Sequence, residues 1–523
     1  MTPVAKKPDL TLVWFRQDLR LSDHPALQEA CKRGAALPVY IDDPEGEGAW
    51  APGGASRWWL HHSLERLDVD LRAKGSRLIL RRGDSLNELR ALIAESGATA
   101  VFWSRRYEPW VEARDKRIAA ALRSGARSGA ATGYPDGSRP GIQARENPGV
   151  AVDVFCSGLL FEPESIRTRA AKGPYQVFTP FYRATLMAPE PPPPLPAPRK
   201  IPAPDHWPAS LNLAALRLLP RIPWDAGLQS AWRPGSAGAK ESLTGSLEDT
   251  LAGYSVSRDI PSVEGTSRIS PHLHFGEIGI RETWAGLQER LAAAGRDAAA
   301  KTSLLAWQRQ LIWREFAHHL LVHFPHTPEK PLRPAFDAFP WNRDPEGLKA
   351  WHTGRTGYPY VDAGMRQLWA TGWMHNRVRM AAASFLVKHL LVPWQAGAKW
   401  FWDTLVDADL AQNTLGWQWV AGSGADAAPY FRIFHPVTQG ERFDPRGDYI
   451  RRWVPELVGL DARWIHRPWE APIAVLAKAG VAPGRNYPKP IVDHAFARTR
   501  ALAAYHSLRD KAVMQGTAVN GPD

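Results

Sequence analysis

Leu10-Thr11-Leu12-Val13-Trp14-Phe15 is an unbroken apolar and β-branched run, followed at once by Arg16-Gln17-Asp18-Leu19-Arg20. A strand without polar alternation is covered on both faces, which is the habit of parallel sheets. Working outward, Leu37–Ile41, Arg77–Leu80 and Ala98–Trp103 repeat the pattern, with helical periods over Ser56–Leu71 and Ser85–Ser96 between them. Short buried strands alternating with helices predict a parallel α/β sheet that binds ligands at the carboxyl ends of its strands. Ser124 to Gly149 is Gly, Ser, Arg, Ala and Pro without apolar period, and reads as a mobile insertion.

Further along, ten of the twenty-one residues from Ala188 to Pro208 are proline. Such a stretch continues neither helix nor central strand and is expected to run as an extended spacer. After about Ser236 strand signals vanish and helical periods take over, at Ser303–His323, Tyr360–Thr371, Asn376–Leu391 and Trp400–Leu405. The chain therefore divides into an α/β domain (1–165), a Pro-rich linker (166–235), a largely α-helical domain (236–510) and a tail (511–523).

Composition narrows the function. The 523 residues carry a formal charge of +12, compatible with a polyanion partner but modest for this length. Two cysteines, Cys31 and Cys156, build neither a disulfide framework nor a four-cysteine zinc or iron–sulfur site, which points to a reducing, cytoplasmic compartment. Nothing resembles a signal peptide or a membrane span. The 24 tryptophans outnumber 17 Phe and 12 Tyr, and 15 of them lie between Trp284 and Trp469. That excess calls for a chemical explanation.

P-loop, dinucleotide G-x-G-x-x-G, G-x-S-x-G and H-E-x-x-H signatures are all missing, so any cofactor is held another way. Glu264-Gly265-Thr266-Ser267-Arg268-Ile269-Ser270-Pro271 gathers three hydroxyls around a glycine ahead of a helix; it suits a phosphate, and equally an ordinary N-cap turn. On a helix, Trp307, Gln310, Leu311 and Arg314 share one face and Trp313 lies beside Gln310, a set that could stack on a base or simply form a tryptophan-rich core. Asn376, Arg379 and Met380 share another face, and Asp407-Ala408-Asp409 could supply a carboxylate to Arg379. No further ligand lies near that Asp pair, so no metal is expected. Gly416-Trp417-Gln418-Trp419 before Ala421-Gly422-Ser423-Gly424 suits a flat ligand close to the backbone.

In this order, these motifs and four others resemble the photolyase/cryptochrome flavoprotein family over roughly Leu10 to Leu457. The further carriers are Trp14-Phe15-Arg16-Gln17-Asp18-Leu19-Arg20, Trp313-Arg314-Glu315-Phe316, Thr356-Gly357-Tyr358-Pro359-Tyr360-Val361-Asp362-Ala363 and Gly372-Trp373-Met374-His375-Asn376-Arg377. The resemblance implies a Rossmann-like α/β antenna domain and an all-α C-terminal domain that binds a folded FAD. It implies that Tyr254 and Thr266, Ser267, Arg268, Ile269 and Ser270 hold the FAD phosphates, and that Trp307 lines the flavin cavity. Arg379 with Asp407 matches the ion pair beside the isoalloxazine, Asp409 a carboxylate at its polar edge, and Asn413 the residue facing N5. An amide at that last position cannot act as an acid toward the flavin, which favours repair over signalling.

The resemblance also implies a partner, UV-damaged DNA. Arg258, Gln310, Trp313, Arg314, Asn376, Arg377, Met380, Trp419, Arg432 and Gln439 match a pocket for flipped-out bases and its phosphate-binding rim. Trp417, Trp394 and Trp341 match a three-tryptophan relay that reduces the flavin. His375-Asn376 replaces the His-His of (6-4) photolyases, so the implied lesion is the cyclobutane pyrimidine dimer and the implied reaction that of a deoxyribodipyrimidine photolyase. A cryptochrome-type photoreceptor and a (6-4) photolyase are the alternatives. Departures are Gln310 where many bacterial dimer photolyases have Glu, Ala425 and His435 near the lesion loops, and Tyr107-Glu108-Pro109-Trp110-Val111 at the antenna. Methenyltetrahydrofolate is the expected antenna pigment, 8-hydroxy-deazaflavin the alternative, and a metal-free cytoplasmic monomer the expected form.

Overall fold

The computed structural model describes residues 9–125, 149–168, 173–426 and 431–514. Five strands form one parallel sheet in the order β3-β2-β1-β4-β5: β1 Asp9–Phe15, β2 Gly34–Asp42, β3 Ile79–Arg82, β4 Ala100–Ser104 and β5 Ala151–Phe155. β1 is central, pairing with β2 from Asp9↔Gly34 to Phe15↔Tyr40 and with β4 from Thr11↔Ala100 to Trp14↔Trp103. Its side chains split as a period of two demands: Val13 and Phe15 enter one core, Leu10, Leu12 and Trp14 the other. Both faces are therefore buried, as the absence of polar alternation requires.

Four helices cover the sheet: α1 Pro25–Arg33, α2 Gly54–Arg72, α3 Ser85–Ser96 and α4 Pro109–Arg123. The reading of α3 matches residue for residue because its ends are chemically marked. Asp84 caps the start by accepting the Asn87 N–H at 2.9 Å, and Gly97 closes the end in the left-handed region. β5 escaped the reading: it is a five-residue edge strand with a half-exposed pattern. Residues 126–148 of the expected insertion lie outside the described residues.

The proline-rich stretch leans on the sheet half. Ile201 N–H donates to Lys74 O at 3.0 Å and Ala36 N–H to Pro202 O at 2.9 Å, while Ile201, Leu216 and Leu218 are buried in a core shared with Val13 and Phe15. The region expected to be linker also holds a helix, Phe178–Leu186, whose Phe178 packs into the second half.

From Ser236 onward only helices are described, and they surround a core that includes Trp351, Trp394, Trp417, Tyr360 and Tyr449. The expected helix Asn376–Leu391 is α-helical only to Ser384; Phe385–His389 forms a π turn, which seats the buried Lys388 so that its ammonium donates to Ala421 O at 2.7 Å. The halves are clamped at Glu277, 1% exposed, which accepts from Trp59 Nε1 at 3.0 Å, Gly235 N at 2.7 Å and the Ser63 hydroxyl. Leu19 N–H to Phe275 O at 3.1 Å and Arg20 to Gly276 O at 3.0 Å add to the clamp. No described helix is long and apolar enough to cross a membrane.

Candidate active site

The site is built on one 26-residue helix, Ala298–His323, begun by Asp297, which accepts the Ala300 N–H at 3.0 Å. Trp307, Gln310, Leu311 and Arg314 all face one cavity, with about 950 Å³ of empty space. Their spacing of three, four and seven puts them there. Across the cavity stand Thr266 to Ser270, Tyr254, Arg379, Asp407 and Asp409. Ten of the eleven residues expected to hold a cofactor thus line one cavity. The exception is Asn413: its neighbour Gln412 reaches the wall, while Asn413 is half-buried and donates its amide to Ala398 O at 3.0 Å.

Hydrogen bonds organise this wall. Arg379 Nη2 lies 3.1 and 3.0 Å from the two oxygens of Asp407, and its Nε donates to Met374 O at 2.7 Å. Asp407 also accepts from the Ser270 hydroxyl at 2.7 Å, and Trp307 Nε1 donates to Ser267 Oγ at 3.3 Å. Asp409 caps the Leu410–Ala421 helix by accepting Gln412 N–H at 2.9 Å and faces His318 Nε2 at 3.4 Å and His274 Nδ1 at 3.9 Å. Burial alone would raise its carboxyl; the two imidazoles outweigh that and hold it well below the usual carboxylate range.

The residues expected at the DNA rim divide into groups. Gln310, Arg314 and Asn376 reach the cavity. Arg258 donates to Gln310 Oε1 at 3.4 Å, and Asn376 donates weakly to Met380 Sδ at 3.8 Å. Two more of the cations are engaged inside the protein. Arg377 makes a fork to Asp259 at 2.9 and 2.7 Å, and Arg314 donates to Gly158 O at 2.8 Å. Trp313 is off the cavity wall and stacks on Phe178, with centroids 3.7 Å apart and planes 6° from parallel. Trp419 donates to Asp426 O at 3.1 Å. Arg432 is exposed, and Gln439 half-buried on the Pro436–Phe443 helix.

Of the expected relay, Trp417 and Trp394 are buried, each 2% exposed, and Trp341 is partly open at the edge of the same core. Trp417 lies so close to Gly397 that a Cβ at that position would overlap its ring. Sequence reading passed over His274, His318, Trp373 and Met374, all close to this wall. His318 was open to discovery, being one helical turn beyond Arg314.

A second cavity, of about 870 Å³, lies at the carboxyl end of the sheet, chiefly beside β1 and β2. Trp14 and Arg16, Tyr40 to Asp43 and Arg106 line it from the carboxyl ends of β1, β2 and β4, with Glu47, Arg114 and Trp402 around them. His274 borders both cavities.

The family model for DNA photolyase matches residues 11–199, and that for the FAD binding domain of DNA photolyase matches residues 307–507. The chain belongs to the DNA photolyase family. It is 47% identical over 503 residues to a deoxyribodipyrimidine photo-lyase of Agrobacterium fabrum, covering 95% of this chain and 98% of that one. Identity to cryptochrome-2 of Arabidopsis thaliana is 38%, over 97% of this chain and 80% of that protein. The crystal structure of a class III photolyase from Agrobacterium tumefaciens superposes with a TM-score of 0.88 at 46% identity, covering 97% and 100% of the two chains.

The cavity wall fits the FAD that such a photolyase domain binds. Arg268 Nε is buried and has no partner in the protein, a donor left for an anion beside the hydroxyls of Thr266, Ser267 and Ser270. Trp307 and Trp373 supply flat apolar surface, and Arg379 a second cation.

Proposed function

We propose that this chain repairs cyclobutane pyrimidine dimers in DNA with light, as a deoxyribodipyrimidine photolyase. One observation carries the reading: a single cavity joins the cofactor wall of Thr266–Ser270, Arg379 and Asp407 to the polar mouth of Gln310 and Asn376. When bound, reduced FAD supplies on illumination the electron that splits the cyclobutane ring, and receives it back afterwards. The protein contributes placement and exclusion of water.

Tyr254 and the Thr266–Ser270 turn hold the phosphates, Arg379 and Asp407 flank the ring system, and Asp409 accepts from its polar edge while His318 and His274 keep that carboxylate charged. Gln310 and Asn376 bond the polar edges of the flipped bases, and Trp419 stacks on them. Trp313, fixed on Phe178, forms the opposite shoulder. The exposed Arg432 takes a phosphate, and Arg258 and Arg377 reach phosphates by exchanging Gln310 and Asp259 for DNA. Trp417, Trp394 and Trp341 carry electrons inward from the surface when the flavin is oxidised. The cavity at the strand ends holds an antenna pigment, a reduced folate in preference to a deazaflavin.

The test is to illuminate the reduced protein with a dimer-containing oligonucleotide under blue light and count intact thymines. Restoration confined to the light supports the reading. Its absence overturns it in favour of a cryptochrome-type receptor, and restoration of (6-4) products instead would reassign the lesion. Trp419→Ala should weaken binding to damaged DNA by about 1–3 kcal/mol while FAD stays bound, read by titration with a fluorescent duplex.

A further inference from the structure

Lys388 is 1% exposed, and its charge has no part in the chemistry described above. Among the described residues no carboxylate pairs with it, and burial alone acts on its ammonium, pushing it well below the ordinary lysine value. Two groups compensate the charge: the nitrogen donates to Ala421 O at 2.7 Å and stands 3.0 Å from the centre of the Phe431 ring. Ala421 is the last residue of the Leu410–Ala421 helix, so its carbonyl lies at the negative end of the helix dipole. The ring face offers a second negative surface, and Tyr505, stacked on Phe431 at 4.6 Å and 10°, fixes its tilt. These two places in the chain adjoin, since a Cβ at Gly422 would meet the Phe431 ring at 3.5 Å. Trp419 stands two residues before Ala421, and Arg432 immediately follows Phe431. An apolar side chain of the same length would fill the space without the desolvation cost, so the use of the charge lies in what it joins.

We propose that Lys388 is a positioning residue for damaged DNA: by gripping Ala421 O and the Phe431 ring at once, it fixes the distance between Trp419, which stacks on the flipped bases, and Arg432, which takes a phosphate. The proposal rests on the roles given to those two residues in the photolyase reading above. Lys388 is off the cavity wall and acts through its two neighbours. A stacked base and a phosphate on one strand reinforce each other only when the groups that hold them are correctly spaced. Loosening either end therefore weakens recognition of the lesion and leaves the chemistry of a bound lesion intact.

The experiment uses the full-length, FAD-loaded protein, a fluorescent duplex carrying one thymine dimer, and the same duplex undamaged. K388M, which keeps the length and removes the charge, should weaken binding to the damaged duplex about tenfold, on the order of one lost base stack. KM for the dimer should rise equally, while kcat under fixed blue light, the flavin spectrum and the affinity for undamaged DNA stay within about twofold of the parent. K388R, which keeps donor and charge, should recover most of the loss. In a W419A background K388M should weaken binding by less than about threefold further, because the ring it places is gone. Damaged-duplex affinity of K388M equal to the parent's overturns the proposal alone. So does a loss of kcat and bound FAD that matches the loss of affinity, a K388R as weak as K388M, or full additivity with W419A. A parent protein that does not distinguish the two duplexes overturns the photolyase reading, and this proposal with it. Should K388M not fold, F431L, which removes the ring face and leaves the bond to Ala421 O, decides by the same measurements.

Discussion

Around its cavity the sheet half pairs charge with charge, whereas the helical half packs ring against ring. Arg106 is held between Glu47 at 2.7 Å and Glu108 at 2.6 Å, Arg16 bonds Asp115, and His24 faces Asp18 at 3.0 Å. Beyond Ser236, Trp351 lies 6.1 Å from Trp417, Phe401 5.0 Å from Trp417, and Trp369 stacks on Trp400 at 6.1 Å. Paired charges can fix the orientation of a bound ligand but conduct nothing. Contiguous rings can pass an electron, and that half is where 15 of the 24 tryptophans were spent. The contrast teaches that the two halves differ at the level of side-chain chemistry, which under the proposed reading suits one to holding a light absorber and the other to moving charge.

The sharpest way to break the contrast is Trp417→Phe. Photoreduction of the oxidised flavin should be abolished while repair by chemically reduced protein persists, both followed by absorbance; surviving photoreduction would remove the helical half's claim to a relay through this ring.

Next in size is Asp362→Ala. This buried carboxylate accepts from Thr356 N and Oγ1 at 2.7 Å each, Gly357 N at 3.0 Å and Tyr487 OH at 2.7 Å. Leaving those donors orphaned should cost about 3 kcal/mol or more by denaturant unfolding, so the helical half too depends on one saturated polar knot.

Acid should separate the halves. Burial pushes His319 and His375 down to about 4 and His389 to about 3, all in the helical half, from an ordinary 6.5. Below 6.5 the unfolded chain binds protons that the folded rings refuse, so this stability is complete above pH 6.5. It is lost progressively as pH falls through about 4, at about 2 kcal/mol for His375 by pH 5. Hydrogen exchange at pH 5 should therefore show the helices around His375 opening before the sheet. Simultaneous opening would refute the separation.

The smallest effect belongs to the sheet half. Asp84→Ala removes the cap of α3 and should lower stability by about 1 kcal/mol without changing the flavin spectrum.

Much of this was legible in the sequence wherever local chemistry decides. β1 was readable because both its faces are apolar, α3 because its ends are capped, and the Trp307–Arg314 face because helical spacing leaves little choice. What escaped depended on partners distant in the chain. Nothing near Arg314 or Arg377 announces that Gly158 O and Asp259 engage them, nor near Trp313 that Phe178 lies against it. The π turn at Phe385–His389 was hidden for the same reason, since a buried lysine looks helical until its acceptor, Ala421 O, is known.

The fit of Trp417 against the bare backbone of Gly397 has a kinetic side. Glycine inside a helix costs about 0.5–1 kcal/mol relative to alanine, so the contact is held at the expense of stability. In the proposed relay, a ring confined in this way would have little room to tilt on losing an electron, and the surroundings that suit it neutral would also have to suit it oxidised. An environment that need not rearrange adds little to the barrier of a charge shift. Under the proposed relay, the missing methyl at position 397 would thus set a rate through packing alone.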